Sequence, residues 1–395
     1  MNKNTITFDE ALSRIMSDIC RVPLKRVAIE DTLGRVLRED VVSDIDMPPF
    51  NKSAMDGYAC RREDLNKELK VLEIIRAGVM PENKIGKNEC SKIMTGAPVP
   101  EGADCVIMIE YTEEKNGIVR FTGNKTANNI CYKAEDIKKG DIVLEKGKII
   151  SPAEIAVLAT SGYAEVKVSV MPRVGIIATG SELVKVSEKV SGAKIRNSNG
   201  QQLTTQCSRM GVDVINYGIA DDTKEDIDSF VKTAMLENDL VILSGGVSMG
   251  DFDLVPGVLK ENNFEFMFES VAMQPGRPTI FGKHKRDYIY CCGLPGNPVS
   301  TFIIFEIMLK PFLYGMMGHS YKPLIVPLPL CKPIKRKKTV RQSSIPVRIE
   351  NKTVKPIEYH GSAHINAMTS ADGLVCMPVG VTELPEGAIV DVRIL

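Results

Sequence analysis

Acidic side chains follow several short apolar runs in the middle of this chain. Such runs are typical of buried parallel strands, and ligands of open α/β sheets bind beyond the carboxyl ends of the strands. Carboxylates that meet a phosphate commonly bind Mg²⁺, which takes one or two of them and completes its shell with phosphate oxygens and water. For one candidate, Asp221, we favour a simpler role beside a helix cap at Thr223. The candidates are Glu182, Asp221, Asp222, Asp251 and Asp253.

Two loops rich in glycine and hydroxyl groups follow predicted strands in the same region. They are Thr179-Gly180-Ser181-Glu182 and Ser244-Gly245-Gly246-Val247-Ser248. Glycine lets backbone N–H groups approach a phosphate, and the hydroxyls add donors. Neither loop matches GxGxxG or the Walker pattern, so a standard dinucleotide or triphosphate site is not supported. A tight structural turn is the alternative for each loop.

Basic side chains lie close to these loops in the sequence. Arg277 and Lys283 could hold an oxyanion, and arginine does so with a rigid fork of donors. An exposed arginine without a ligand is an equal alternative for Arg277.

The elements that must position these residues alternate between strand and helix from Arg173 onward. Alternation of this kind predicts a parallel sheet with right-handed crossovers, and hence an α/β fold. The predicted strands are Val174–Ala178, Val212–Ile219, Leu240–Leu243, Phe264–Met273 and Tyr288–Cys292, and the predicted helices are Asn199–Met210, a helix capped by Thr223 that reaches Glu237, and Val299–Phe312.

The remaining sequence predicts smaller units around this one. Capping residues at Thr7 and Ser151 open two helices, which are candidates for one non-contiguous domain. Between them, short apolar runs separated by Gly, Pro and Asn predict a small β-rich domain, and the proline-punctuated sequence after Gly318 predicts a C-terminal β domain or barrel. The predicted domains are 1–46 with 141–172, 47–140, 173–320 and 321–395.

The composition argues against several classes of protein. Lys+Arg and Asp+Glu both number 50, so no net charge favours nucleic acid or a membrane surface. The polar N-terminus has no signal-peptide core, and the apolar run Val299–Leu309 is too short for a membrane span and contains Glu306. Ten cysteines without a CxxC pair predict free thiols in a reducing cytoplasm. His360 and His364 are better explained as loop residues than as zinc ligands.

A series of longer motifs carries a more specific signal. They are Met47–Ala59, Thr95–Asp104, Glu135–Gly140, Thr179–Leu183, Arg196–Asn199, Asp221-Asp222, Ser244–Ser248 with Asp253, Gly293–Ser300, Gly361–His364 and Ala371–Leu374. Together they resemble the molybdopterin molybdenumtransferase family, which includes MoeA and the related E domain of gephyrin. The resemblance extends over almost the whole chain, and Met47–Ala59 and Gly293–Ser300 are its specific parts.

The resemblance implies an elongated homodimer of four-domain chains, with a central domain similar to MogA. It implies an enzyme that takes adenylylated molybdopterin and molybdate, releases AMP with the help of Mg²⁺, and leaves molybdenum on the dithiolene sulfurs. This is the last step of molybdenum cofactor biosynthesis. A MogA-type adenylyltransferase is a candidate partner, whereas neither nucleic acid nor a membrane is implied.

The resemblance also implies roles for individual residues. Asp253, Glu182 and Asp222 would hold Mg²⁺ or act on the pyrophosphate. The loops Thr179–Ser181 and Ser244–Ser248 would cradle the pterin phosphate.

Further residues would bind molybdate or complete the site. Arg277 and Ser300 would receive molybdate, in a loop shaped by Pro295, Asn297 and Pro298. Active sites would form between subunits, and the residues that enter from the partner would be Asp56, Thr95 and Asp136.

Some positions depart from the family pattern. Cys131 and Ala134 stand where Arg and Gly are usual, Gln274 where Lys is usual, and Ser343–Pro346 where an aromatic residue and an Arg are usual. Each charge-assisted contact to an anion contributes roughly 1.5–3 kcal/mol, so the lost cations leave open a reduced affinity, a preference for tungstate or a specialised paralogue. The rival functions are a carrier that binds molybdopterin without turnover, a receptor scaffold, and a nucleotide-hydrolysing relative of the central domain.

Overall fold

The computed structural model describes residues 5–247, 253–358, 361 and 363–395. Ser248, Asp251 and His360, which we singled out from the sequence, lie outside the described residues. The α-helices in these ranges are α1 (Phe8–Ser17), α2 (Pro152–Thr160), α3 (Ser198–Arg209), α4 (Lys224–Glu237), α5 (Val255–Glu261), α6 (Pro298–Ile304) and α7 (Lys310–Met316).

Side-chain caps fix the starts of α1 and α2, as the sequence predicts. Thr7 accepts a hydrogen bond from the backbone N–H of Glu10, and Ser151 forms a reciprocal capping box with Glu154. The box at Thr7 is only half made, because the carboxylate of Glu10 pairs with Arg14 at 2.6 Å instead. Both helices nevertheless begin where their caps place them.

The central sheet has six strands and confirms the α/β fold class. Its first four strands are mutually parallel, and three of them are buried on both faces, whereas the edge strand Asp213–Ala220 is partly exposed. The strand Ile280–His284 runs antiparallel to both of its neighbours, so the sheet is mixed rather than wholly parallel. The predicted strand Phe264–Met273 ends at Phe268, and the chain then turns back into a strand that we did not predict. In spatial order the strands are Asp213–Ala220, Arg173–Thr179, Leu240–Ser244, Tyr290–Leu294, Ile280–His284 and Phe264–Phe268.

The predicted helix Val299–Phe312 is longer than expected and is not uniform. It comprises α6, a π-helical turn at Phe305–Leu309, and α7. Among the described residues, Pro298–Met316 is the one helix long and apolar enough to cross a membrane, which corrects our reading of this run as too short. In its most apolar stretch 78% is buried, so it is a core helix of the central unit.

The small β-rich region forms a second six-stranded sheet. Its strands are short and are separated by turns in which Asn88 and Asn116 adopt positive φ. In spatial order they are Cys105–Met108, Gly57–Cys60, Glu89–Ile93, Leu69–Ile75, Ile118–Phe121 and Thr112–Lys115.

The C-terminal sheet curls into a barrel. A parallel bridge between Leu330 and Val354 joins the strand Thr353–Pro356 to the chain beyond Ile325–Pro329, which closes the ring. The central unit adds one strand to it, since Met273 and Gln274 pair with the start of Gln342–Glu350. The sheet runs Met273–Gln274, Gln342–Glu350, Gly373–Met377, Ile389–Ile394 and Ile325–Pro329.

The two helices that we grouped in one domain bury their apolar faces in different cores. Phe8, Ala11 and Ile15 of α1 pack into the core of the central sheet, whereas Leu158 of α2 packs with residues that flank the β-rich insert. Thr5–Ile6 also pairs with Ser270–Val271, which holds α1 against the central unit. The exact domain boundaries stay a prediction.

The remaining strands form two-stranded ladders. They pair Leu24–Ala28 with Glu165–Ser169, Val41–Val42 with Ile142–Leu144, Lys52–Ser53 with Ile130–Cys131, Leu183–Val184 with Ile195–Arg196, and Ile334–Lys335 with Glu383–Leu384.

Candidate functional site

Two adjoining cavities lie where the central sheet meets the C-terminal barrel. The first has a volume of about 490 Å³ and the second about 300 Å³, and Asn297 lines both. The central unit supplies most of the walls, and the barrel region supplies Arg341 and Gly361 to the first cavity and Ala363 and Ile365 to the second. The predicted residues that line them are Arg277, Pro295, Asn297 and Ser300 in the first, and Thr179, Glu182, Ser244, Asn297 and Pro298 in the second.

The loop between the strand Tyr290–Leu294 and α6 forms the shared wall. Asn297 is the N-terminal cap residue of α6, and Pro298 occupies its first turn. The hydroxyl of Thr301 donates to the carbonyl of Pro295 at 2.7 Å, which fixes the loop from inside. Ser300 is buried and lines the first cavity. The motif Gly293–Ser300 therefore lines both cavities.

The two glycine loops pack closely against each other. A Cβ on Gly245 would lie 2.3 Å from the carbonyl oxygen of Thr179, and its φ is +106°. Only glycine fits there. The N–H of Gly245 donates to Leu294 at 3.0 Å, so this amide belongs to the sheet and is not a free phosphate donor.

Two residues that line the second cavity, Asn199 and Thr179, carry buried polar atoms without partners. Asn199 donates from Nδ2 to Ser244 Oγ and to the carbonyl of Gly296, both at 2.8 Å. Its Oδ1 and the hydroxyl of Thr179 are buried and have no hydrogen-bond partner among the described residues. Buried polar atoms without partners are costly, so these two are suited to a polar ligand or an ordered water.

Two guanidinium groups give the first cavity its charge. Arg277 is exposed and Arg341 is half-buried, and both line the cavity. Within the described part of the chain, neither guanidinium forms an ion pair with a carboxylate. Gln274 also lines this cavity and brings no charge. Two arginines without a carboxylate partner beside a buried hydroxyl have the chemistry that suits an oxyanion.

Two of the predicted acidic residues lie beside the second cavity. Glu182 lines it directly, and Asp222 Oδ2 accepts a hydrogen bond of 2.8 Å from the N–H of Ser181. A Cβ on Gly180 would lie 2.5 Å from a carboxylate oxygen of Glu182, so the backbone approaches this carboxylate closely. Asp253 is half-buried just before α5. In the described ranges, no three His, Cys, Asp or Glu side chains cluster as a protein-only metal site requires.

The other predicted acidic residues lie elsewhere in the chain. Asp56 Oδ1 accepts hydrogen bonds from the N–H of Thr95 at 2.6 Å and from its hydroxyl at 2.8 Å. These contacts, led by the backbone one, lower the pKa of Asp56. Asp136 donates its N–H to the carbonyl of Met47 at 3.0 Å. Asp56, Thr95 and Asp136 line neither cavity of their own chain.

Reasoning from the sequence missed Arg341 and understated Asn199. Asn199 belongs to the motif Arg196–Asn199, which was noted without a role. Arg341 follows the basic run Lys335–Lys338 and carries no pattern that separates it from a solvated surface cation. The unusual Ala134 adopts φ of +60°, a conformation that favours glycine.

Comparison with known proteins gives the family. The model of the MoeA N-terminal region (domains I and II) matches residues 6–162, a probable molybdopterin binding domain matches 175–315, and the MoeA C-terminal region (domain IV) matches 328–395. This chain belongs to the MoeA family. The assignment confirms the resemblance that the motifs carried.

Relatives of the MoeA family cover the chain from end to end. A molybdopterin molybdenumtransferase of Staphylococcus aureus is 38% identical over 99% of this chain and 96% of its own length. One from Staphylococcus epidermidis is 37% identical with the same coverage. Among solved structures, a molybdopterin biosynthesis MoeA protein of Pyrococcus horikoshii OT3 aligns with a TM-score of 0.84 and 29% identity, over 99% of this chain and 100% of that one. A second structure from that organism gives 0.80 and 32%, with 99% of each chain covered.

Proposed function

We propose that this chain is a molybdopterin molybdenumtransferase that inserts molybdenum from molybdate into adenylylated molybdopterin and releases AMP. The observation that carries the proposal is the pair of joined cavities, one lined by Arg277 and Arg341 and the other by Thr179, Asn199 and Ser244. The reaction class follows from the MoeA family, because relatives of this chain bear this enzyme name.

The chemistry of the two cavities suits the two substrates. Molybdate is a doubly charged tetrahedral anion, so the cavity with two guanidinium groups is the suitable one. The phosphorylated pterin would take the second cavity, where the buried acceptor of Asn199 meets ring N–H groups and Thr179 meets the phosphate. Asn297 lies at the contact between them, where metal and dithiolene sulfurs must meet.

The acidic residues beside the second cavity are suited to Mg²⁺. This ion uses one or two carboxylates and takes its other ligands from phosphate and water, so Glu182 and Asp222 suffice without a protein-only cluster. Asp253 would contribute from the start of α5. When bound, Mg²⁺ would neutralise charge on the pyrophosphate that is cleaved. Ser181 holds Asp222 in place through its N–H.

The second part of the site would come from another subunit. Asp56 and Thr95 lie in turns beside strands of the β-rich sheet, Asp136 lies in a turn after Ile130–Cys131, and all three line neither cavity of their own chain. We propose a homodimer in which this sheet faces the partner's cavities. A MogA-type adenylyltransferase is the proposed partner on the pathway, and the ten free thiols support a reducing, cytoplasmic location.

A direct assay tests the function. Purified protein is incubated with adenylylated molybdopterin, Mg²⁺ and either molybdate or tungstate, and liberated AMP is quantified. We expect AMP release that depends on the oxyanion. Binding of the pterin without AMP release would instead identify a carrier, and faster turnover with tungstate would identify a tungsten-specific paralogue.

One variant tests the acidic part of the site. Asp253→Asn keeps the shape of the side chain and removes its charge, so we expect the loss of AMP release with an unchanged far-UV circular dichroism spectrum. Asp228→Asn is a matched control, because Asp228 is also half-buried, lies on α4 outside both cavities and pairs with Lys232 at 2.6 Å. Retained molybdenum insertion by Asp253→Asn would contradict the assignment.

A further inference from the structure

A buried carboxylate lies at the centre of the core helix that carries the shared cavity wall. Glu306 is 2% exposed and falls in the π-helical turn between α6 and α7. The helix begins at Pro298, directly after Asn297, so Glu306 is rigidly connected to the wall of both cavities.

Glu306 binds donors from two other parts of the central unit. Its Oε1 accepts from Gln206 Nε2 at 2.9 Å and from Arg209 at 2.7 Å, and both donors lie on α3. Its Oε2 accepts from Lys310 at 3.0 Å. The N-terminal end of α3 carries Asn199, which lines the second cavity.

The same residue also contacts the C-terminal barrel. Its backbone carbonyl accepts a hydrogen bond from Arg393 at 2.7 Å, and the guanidinium of Arg393 lies 5.9 Å from the ring of Tyr321. The ammonium group of Lys310 lies 5.5 Å from the centre of the same ring. Arg393 belongs to the strand Ile389–Ile394, which pairs with Gly373–Met377, and that strand pairs in turn with the one that follows Arg341.

We propose that Glu306 is a positioning residue that sets the spacing between the walls of the two cavities. Buried ion pairs contribute little net stability, because desolvation offsets their attraction, whereas they can fix one register of packing. Glu306 directly joins the helix that follows Asn297 to the helix that carries Asn199 and, through Arg393, to the C-terminal sheet from which Arg341 reaches the first cavity. This role rests on the proposed function for its substrates and on the contacts alone for its geometry.

The test is Glu306→Gln in the full-length protein. Glutamine keeps the side-chain shape but turns a donor toward Lys310. We therefore expect the contacts of residue 306 with α3 and with Lys310 to weaken. We expect the KM for molybdate to rise about tenfold while kcat stays within about twofold, because a loosened binding wall weakens ground state and transition state alike. Glu261→Gln is the control, since it removes an exposed pair with Lys224 and should leave KM unchanged.

A merely structural residue would behave differently. Its loss would lower the amount of active enzyme, and hence the apparent kcat, at constant KM, and that result would overturn the proposal. If Glu306→Gln does not fold, the double variant Glu306→Gln with Lys310→Met removes the stranded cation and is judged by the same criteria. Failure of both to fold assigns Glu306 to stability and rejects the positioning role.

Hydrogen exchange separates this proposal from the proposed function. In the variant we expect faster exchange in α3, in α6 and in the strand Ile389–Ile394, but not in the β-rich sheet. If the wild type releases no AMP, the enzymatic function fails, while the exchange pattern still decides whether Glu306 couples these elements. Uniform or unchanged exchange contradicts the coupling.

Discussion

Arg341 and Gln274 together define the charge of the first cavity at the scale of single residues. The family pattern led us to expect a lost cation at Gln274, and the structure places Gln274 on the cavity wall, where it is neutral. Arg341 brings a cation from the barrel, and this residue is half-buried whereas Arg277 is exposed. A less hydrated cation interacts more strongly with an anion, so we expect Arg341 to make the stronger of the two contacts.

Removing Arg341 should therefore weaken oxyanion binding. We expect Arg341→Ala to raise the KM for molybdate by about ten- to a hundredfold, the size of one charge-assisted contact. Steady-state AMP release at varied molybdate measures it. Arg348→Ala is the control, because Arg348 lies further along the strand that follows Arg341, outside this cavity, and pairs with Glu350 at 3.3 Å. Equal KM values for the two variants would show that Arg341 does not bind molybdate.

Single residues also show how far the sequence alone reaches. Thr179 and Ser244 were predicted because each follows a strand in a small, polar turn, whereas Asn297 and Ser300 were predicted from the family resemblance, and all four line the cavities. Arg341 was not, because it reaches the cavity only through the pairing of Gln342 with Met273. A long-range pairing of two short strands leaves no periodic signal in the sequence.

At the scale of elements, the junction of the two glycine loops depends on one close approach. Gly245→Ala would bring a methyl group to 2.3 Å from the carbonyl of Thr179 at a φ of +106°. We expect a loss of about 1–3 kcal/mol in the free energy of unfolding, together with reduced AMP release. Gly192→Ala is the matched control, since Gly192 also has positive φ but nothing lies within 4 Å of its Cβ position.

Urea denaturation of both variants measures the difference. Gly192→Ala should lose only about 1 kcal/mol of unfolding free energy, from alanine at a positive φ, and should keep its activity. If the two variants are equally stable and equally active, the close approach has no role in the site.

The capping box of α2 gives a pH-dependent prediction. Hydrogen bonds from Ser151, led by its hydroxyl, and from Lys148 lower the pKa of Glu154 from 4.5 to about 2. A lowered folded-state pKa means that the stabilisation is complete above pH 4.5 and is lost as the pH falls from 4.5 toward 2. We expect Glu154→Gln to cost about 1 kcal/mol at pH 7 and progressively less below pH 4.5.

Unfolding free energies of wild type and variant at pH 7, 4.5 and 3.5 test this point. Glu113→Gln, which changes an exposed strand residue, should show no such pH dependence. If the difference in unfolding free energy between wild type and Glu154→Gln grows toward low pH, the prediction is contradicted.

Elements were predicted well where local signals were strong. Caps located α1, α2 and α4, and continuous apolar runs located the three buried parallel strands. The strand Ile280–His284, which lies next to the edge strand Phe264–Phe268, was missed because Gly282 and Lys283 interrupt its apolar pattern, and it is stabilised by its neighbours on both sides. The π-helical turn Phe305–Leu309 was missed because its apolar sequence continues that of α6 without a break.

At the scale of the whole molecule, one chain holds two separate groups of predicted site residues. The cavities lie between the central unit and the barrel, whereas Asp56 and Thr95 lie in turns beside the β-rich sheet. If the site is shared between subunits, two inactive variants can restore each other. Mixing Asp56→Asn with Asp253→Asn protein, after subunit exchange, should recover about a quarter of wild-type activity, because half the dimers are hybrids with one intact site each.

AMP release by the mixture, compared with each variant alone, is the measurement. A mixture of Asp253→Asn with Ser244→Ala protein is the control, because both changes fall on the same side of the proposed interface and no hybrid has an intact site. Recovery in the control, or none in the test mixture, would show that each chain works alone.

The pairing of a strand of the central unit with the barrel has a consequence for how the two parts evolve. Met273 and Gln274 form one side of a ladder, and Gln342 and Ser343 form the other. A recombination event that joined the central unit of one relative to the barrel of another would combine two halves that had never been selected together. Gln274 and Arg341 should therefore descend as a single block, and chimaeras that exchange both ladder strands should fold where those that exchange one do not.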